Sequence, residues 1–159
     1  MNFEISRHVN RRPEDIFAFL ADIQQYTGRG TPVPVMQKIP SGPTRVGTRW
    51  REVVQVLPFA TMTVWTIVES LVPDRVIASR FHSWWMQGHI EYRFTPDGGG
   101  TLFSWTETIS PRGPLRVTDR LMDRLLRPRL VKRMEDICEF LDSGAPLKVS
   151  APVTLTAQV

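Results

Sequence analysis

Two glutamates in this 159-residue chain stand where a carboxylate is costly. Glu107 alternates with Phe103, Trp105 and Ile109, and Glu52 alternates with Trp50, Val54 and Val56. Each therefore shares one face of an extended segment with large apolar side chains. An ionised carboxylate on such a face must be paired, or its pKa rises as water is removed. Either glutamate can meet a basic partner, for which Arg7 and Arg80 are candidates, or orient a polar group of a ligand, or act as a general acid or base. The residues alone allow all three.

The same alternation collects aromatic side chains. Trp50, Trp65, Phe81, Tyr92, Phe103 and Trp105 are the inward candidates, and Leu121 and Leu125 of a later helical segment complete the expected lining. Aromatics so placed either pack a sheet against a helix or wall a small-molecule cavity, and both readings fit. Other chemistries find no footing. His8, His82 and His89 are the only histidines and have no partner at metal-ligand spacing, and Cys138 is the only cysteine, so neither a metal site nor a disulfide framework is expected. No serine nucleophile elbow occurs, and Gly98–Gly100 reads as a hairpin turn because no helix follows it. No cofactor is expected.

The elements that must position these residues follow from patterning. Phe3–Val9 alternates as a half-buried strand, and Pro13 with Glu14 and Asp15 opens a helix whose apolar face is Ile16, Phe17 and Leu20. Thr27–Pro34 is a loop. Strands are expected over Thr48–Leu57, Met62–Glu69, Arg75–Trp84, Met86–Thr95 and Thr101–Ile109, with a tight turn at Asp97–Gly100. Regular pairing across Pro58 and Phe59 puts Trp50, Glu52, Val54 and Val56 on one face with Thr63, Trp65 and Ile67.

A helical block, Pro114–Ser143, ends the fold at a glycine stop, Gly144. Its apolar positions split into Val117, Leu121 and Leu125 before Pro128, and Leu130, Met134, Ile137, Cys138 and Leu141 after it. At ~100° per residue these stripes lie on nearly opposite sides, so a kink or restart at Pro128 is expected to bury both. A single domain over 1–143 and a loosely held tail over 144–159 are expected.

The balance of 42% hydrophobic and 23% charged residues is that of a globular protein, and the net charge is +4. Arg112, Arg116, Arg120, Arg124, Arg127, Arg129, Lys132 and Arg133 crowd the helical block, interspersed with Asp119, Asp123, Glu135, Asp136 and Glu139. That is how a solvated face looks; docking to an acidic partner or a lipid surface is the other reading. No nucleic-acid partner is expected. No apolar run reaches the ~20 residues of a transmembrane helix and the N-terminus lacks a signal-peptide core, which makes a cytoplasmic location the default and leaves room for peripheral membrane contact. Oligomeric state is not readable.

Arg12–Phe17 with Ala21 and Asp22, Val46–Arg51, Trp65–Glu69 with Pro73–Arg75, and Thr95–Asp97 with Gly100 and Thr101 recur in an order and spacing that resembles the START/Bet v 1-like (SRPBCC) superfamily, specifically its bacterial polyketide cyclase/dehydrase and lipid-transport group. Where such proteins often carry a tryptophan after the first helices, this chain has Tyr26 and a Gly/Pro-rich loop. The resemblance implies an α+β helix-grip fold, β-α-α-β6-α, whose curved antiparallel sheet of about seven strands wraps a long C-terminal helix around a hydrophobic-ligand cavity. The function expected first is binding of a hydrophobic or aromatic small molecule, for transport or sequestration. A cyclase or dehydratase in which Glu107 or Glu52 moves protons is the alternative, and an interaction module using the arginine-rich helix is a second.

Overall fold

The computed structural model describes residues 1–27, 34–57, 60–112 and 119–147. The elements are β1 (Asn2–Val9), α1 (Pro13–Ala21), a 3-10 turn (Ile23–Tyr26), β2 (Met36–Ile39), β3 (Arg49–Leu57), β4 (Ala60–Val72), β5 (Val76–His82), β6 (Met86–Asp97), β7 (Gly100–Pro111) and α2 (Asp119–Asp142). The strands form one antiparallel sheet in the order β1-β7-β6-β5-β4-β3-β2. Its concave face holds α2, the helix-grip arrangement expected. β2 is the strand that patterning does not locate: four residues followed by Pro40 are too short to show a period. Of the expected loose tail, residues 148–159 lie outside the described residues.

The core has two parts. At one end, α1 and the C-terminal half of α2 close over β1, β6 and β7. Phe17 meets Phe94 edge-on at 6.0 Å, Phe19 lies 5.5 Å from Phe140, and Phe3 meets Trp105 at 5.7 Å. A buried ion pair between Lys38 of β2 and Asp22, at the end of α1, pins the sheet edge to this layer. At the other end, Met62, Val64, Phe81, Met86, Ile109 and Met122 form a looser apolar cluster. Gly88 is required there, because a Cβ at position 88 would stand 1.8 Å from the Thr108 carbonyl oxygen and 2.7 Å from the Phe81 ring.

Two expectations are corrected. The face assignment of β4 is off by one residue, because a bulge between Gln55 and Leu57 shifts the register: Leu57 faces Ala60, but Gln55 faces Thr61. A one-residue shift moves a strand's side chains to the other face. Met62, Val64, Thr66 and Val68 therefore point inward, and Trp65 stands on the convex face, opposite Arg51 and His82.

The second correction concerns α2, which runs unbroken through Pro128. Its buried stripe is Met122, Leu126, Leu130, Met134, Ile137 and Leu141, near-regular steps of four and three that stay in phase across the proline. Leu121 and Leu125 each precede a member of that stripe and face outward instead. Pro128 is exposed, so the Arg124 carbonyl that it leaves without a helical donor is on the watered side. Val117 lies outside the described residues.

Candidate functional site

Between the sheet and α2 lies a cavity of about 360 Å³, inside the ~300–1,000 Å³ range of small-molecule pockets. Strands β3 to β7 supply one wall, the stripe of α2 the other, and Leu20, Ile23, Pro34 and Met36 complete the lining. Most of the wall is aliphatic or aromatic, because the inward parity of each strand is apolar almost throughout.

A polar cluster interrupts it. Glu52 of β3 accepts a 3.2 Å hydrogen bond from Arg133 Nη1 of α2. Glu107 of β7 is 6% exposed and accepts one 3.1 Å bond from Trp105 Nε1. Its carboxyl pKa is pushed up to about 7: burial is the main cause, opposed by the positive Arg133 and the Trp105 bond and reinforced by the negative Glu52. Tyr92 stays a neutral phenol, its pKa raised above the ordinary value by the same burial. Burial opposes the charge on Arg133, but Glu52, Tyr92 and Glu107 together outweigh it and hold the guanidinium protonated. Arg133 lines the cavity with 30% of its side chain uncovered, and its guanidinium carries more N–H donors than the one spent on Glu52. In the same wall, Trp50 Nε1 is a buried donor with no acceptor among the described residues.

Of the residues expected at the site, Trp50, Phe81, Tyr92, Trp105, Glu52 and Glu107 line this one cavity. Phe103 points inward but is packed away behind it, stacked on Phe94 at 5.6 Å and against Tyr92 at 5.8 Å. Trp65, displaced by the β3 bulge, is not part of the lining, and neither are Leu121 and Leu125, which face out of α2. The basic partners anticipated for the glutamates are engaged elsewhere: Arg7 reaches Glu135 at 3.6 Å and Arg80 reaches Glu69 at 3.5 Å.

Arg133 is the member of the polar cluster that sequence reasoning missed. A signal existed, since 126, 130, 133 and 137 share a helical face and Arg133 is the basic residue on it. It becomes visible only once the stripe is assigned correctly.

This arrangement can enclose an apolar body, donate hydrogen bonds to its oxygen atoms from Arg133 and Tyr92, and exchange one proton at Glu107 near neutral pH. Cys138 is buried, and burial with Asp142 nearby lifts its thiol to about 11, so it is a poor nucleophile. Among the described residues no three His, Cys, Asp or Glu side chains gather as a metal site requires, and no helix is long and apolar enough to cross a membrane.

Solved structures with the same architecture are numerous. The Zhui aromatase/cyclase from Streptomyces sp. R1128 aligns with a TM-score of 0.73 at 16% identity, over 92% of this chain and 96% of that one. Ara h 8.0201 aligns with a TM-score of 0.69 at 14% identity, over 91% and 99%. TTHA0849 from Thermus thermophilus aligns with a TM-score of 0.59 at 20% identity, over 91% and 93%. At these identities the likeness is one of fold. No curated protein sequence matches the chain. The profile of one sequence family covers residues 1–137, nearly everything from β1 to the last turns of α2. The chain belongs to the polyketide cyclase/dehydrase and lipid transport family.

Proposed function

We propose that this protein binds a hydrophobic or aromatic small molecule between sheet and α2, for transport or sequestration. The observation that carries the reading is the cavity itself, apolar over most of its wall and sized for a small molecule. The polar cluster supports a ligand bearing oxygen. Arg133 and Tyr92 offer hydrogen-bond donors into the space, and a ligand acceptor near Trp50 would satisfy its unpartnered N–H. Native mass spectrometry of the purified protein tests this: a co-purified molecule of discrete mass, released on unfolding, is expected. A protein that emerges empty and takes up no apolar compound offered to it contradicts the reading.

Glu107 favours a second reading. A carboxyl whose pKa is pushed up to about 7 is suited to give or take a proton at neutral pH, a contribution of typically ~10²–10⁴-fold in rate. With it the protein would be a cyclase or dehydratase that folds a reactive chain inside the cavity. Glu107→Gln separates the two: an enzyme loses turnover and keeps ligand affinity, whereas a binder changes only in affinity or stability.

A further inference from the structure

The N-terminal half of α2 turns large apolar side chains outward. Leu121 is 48% and Leu125 55% exposed, one helical turn apart. Trp84, 72% exposed, stands in the turn between β5 and β6. That turn is at the same end of the molecule: its neighbour Trp85 packs on the cluster containing Met122, as does Leu126, and the Arg112 amide donates to the Trp85 carbonyl at 2.6 Å. Single exposed leucines are ordinary, but three large apolar groups at one end call for an explanation.

Their setting is basic. Arg112, Arg120 and Arg124 are exposed, and the acidic Asp123 between them is already taken by Arg127 at 2.6 Å. Past Pro128 the outward face changes character: Lys132 is paired with Asp136 at 2.8 Å, and Glu135 and Glu139 are exposed. Apolar and positive surface thus coincide in one half of the helix. Arg129 is both exposed and part of the cavity wall, so the cavity reaches the surface beside that half.

We propose that this end of the molecule docks on the surface of a bilayer containing anionic lipid, with Trp84, Leu121 and Leu125 entering the interfacial layer and Arg112, Arg120 and Arg124 meeting the head groups. A bilayer surface offers both kinds of contact at once: an apolar layer in which an indole settles readily, and negative charge above it. A second copy of the chain would bring arginines against arginines. The docked orientation places the cavity opening beside the membrane, which gives an apolar ligand a route that avoids water. The proposal stands whatever fills the cavity.

Cosedimentation of the full chain with vesicles tests it. The protein is expected to pellet with phosphatidylcholine vesicles that contain phosphatidylserine, to stay in solution with phosphatidylcholine alone, and to be released as salt rises. Arg120→Gln and Arg124→Gln should each weaken binding about fivefold. Leu121→Ser with Leu125→Ser, or Trp84→Ser alone, should weaken it at least about tenfold. All these positions are exposed, so thermal melting should report folded protein, and the arginine variants keep the test decisive if a leucine variant does not fold. Failure to bind anionic vesicles, equal binding to neutral ones, or binding unchanged in the variants overturns the proposal. So does sedimentation equilibrium showing a dimer that the leucine variants dissolve.

Discussion

Glu107 is the residue on which most of the site's chemistry turns, and its environment makes a signed prediction. Its carboxyl has an ordinary value of 4.5 when free and about 7 in the fold. A group whose folded pKa is raised contributes stability that is complete below the unfolded value and is lost as pH rises through the folded one. The protein should therefore lose on the order of 3 kcal/mol from this group between roughly pH 4.5 and 7.5. Glu107→Gln, which cannot ionise, should show a flatter stability profile over that window and exceed the parent at pH 8. Urea titrations at several pH values check this, and parallel profiles for both proteins would refute it. Arg133 makes the complementary prediction. Replaced by Met, it leaves the part-buried Glu52 without its partner, and the loss at pH 8 should be about 1–3 kcal/mol. Both glutamates were legible in the sequence because β3 near Glu52 and β7 near Glu107 are regular, so parity holds. Their partner was not, because Arg133 lies 81 residues from Glu52 and only the docking of α2 brings them together.

At the scale of elements, α2 shows where periodicity misleads. Leu121 precedes Met122 and Leu125 precedes Leu126, so the sequence offers two apolar stripes about 100° apart and patterning cannot say which one packs. Continuity with Leu130 and Met134 decides for Met122 and Leu126, and it removes the need for a break at Pro128. The two choices differ in energy. Met122→Ala should cost ~2–5 kcal/mol as a core deletion, whereas Leu121→Ala should stay within about 0.5 kcal/mol. Comparable losses at both positions, measured by chemical denaturation, would restore the rejected stripe. The β3 bulge was illegible for a different reason. Residues 55–57 carry no glycine or other sign of irregularity, yet one unpaired residue there moves Trp65 out of the lining and brings Val64 and Thr66 in. Gly88 tests the sheet directly: with the Thr108 carbonyl and the Phe81 ring occupying the space of a side chain at position 88, Gly88→Ala should destabilise by ~3 kcal/mol or more.

For the whole molecule, the order of elements carried more information than any single motif. One strand, short helices, a run of strands and one long helix can bury that helix only against a concave sheet, and the family profile spans the same stretch. The cavity follows from the architecture; its polar cluster follows from which residues happen to face it, and that depends on register and helix phase. If the cavity holds an apolar small molecule, as proposed, it should also take up an apolar fluorescent probe in titration. Trp50, Trp85 and Trp105 line the space, so a bound probe should quench tryptophan emission. One-to-one, saturable quenching is expected, with added stability of about 2.7 kcal/mol when free probe is near a hundred times its Kd. A cavity-filling change at the wall, Val54→Phe, should weaken binding at least about tenfold while the protein stays folded. Non-saturable quenching, or full affinity in the folded Val54→Phe variant, would show that the cavity does not bind such molecules.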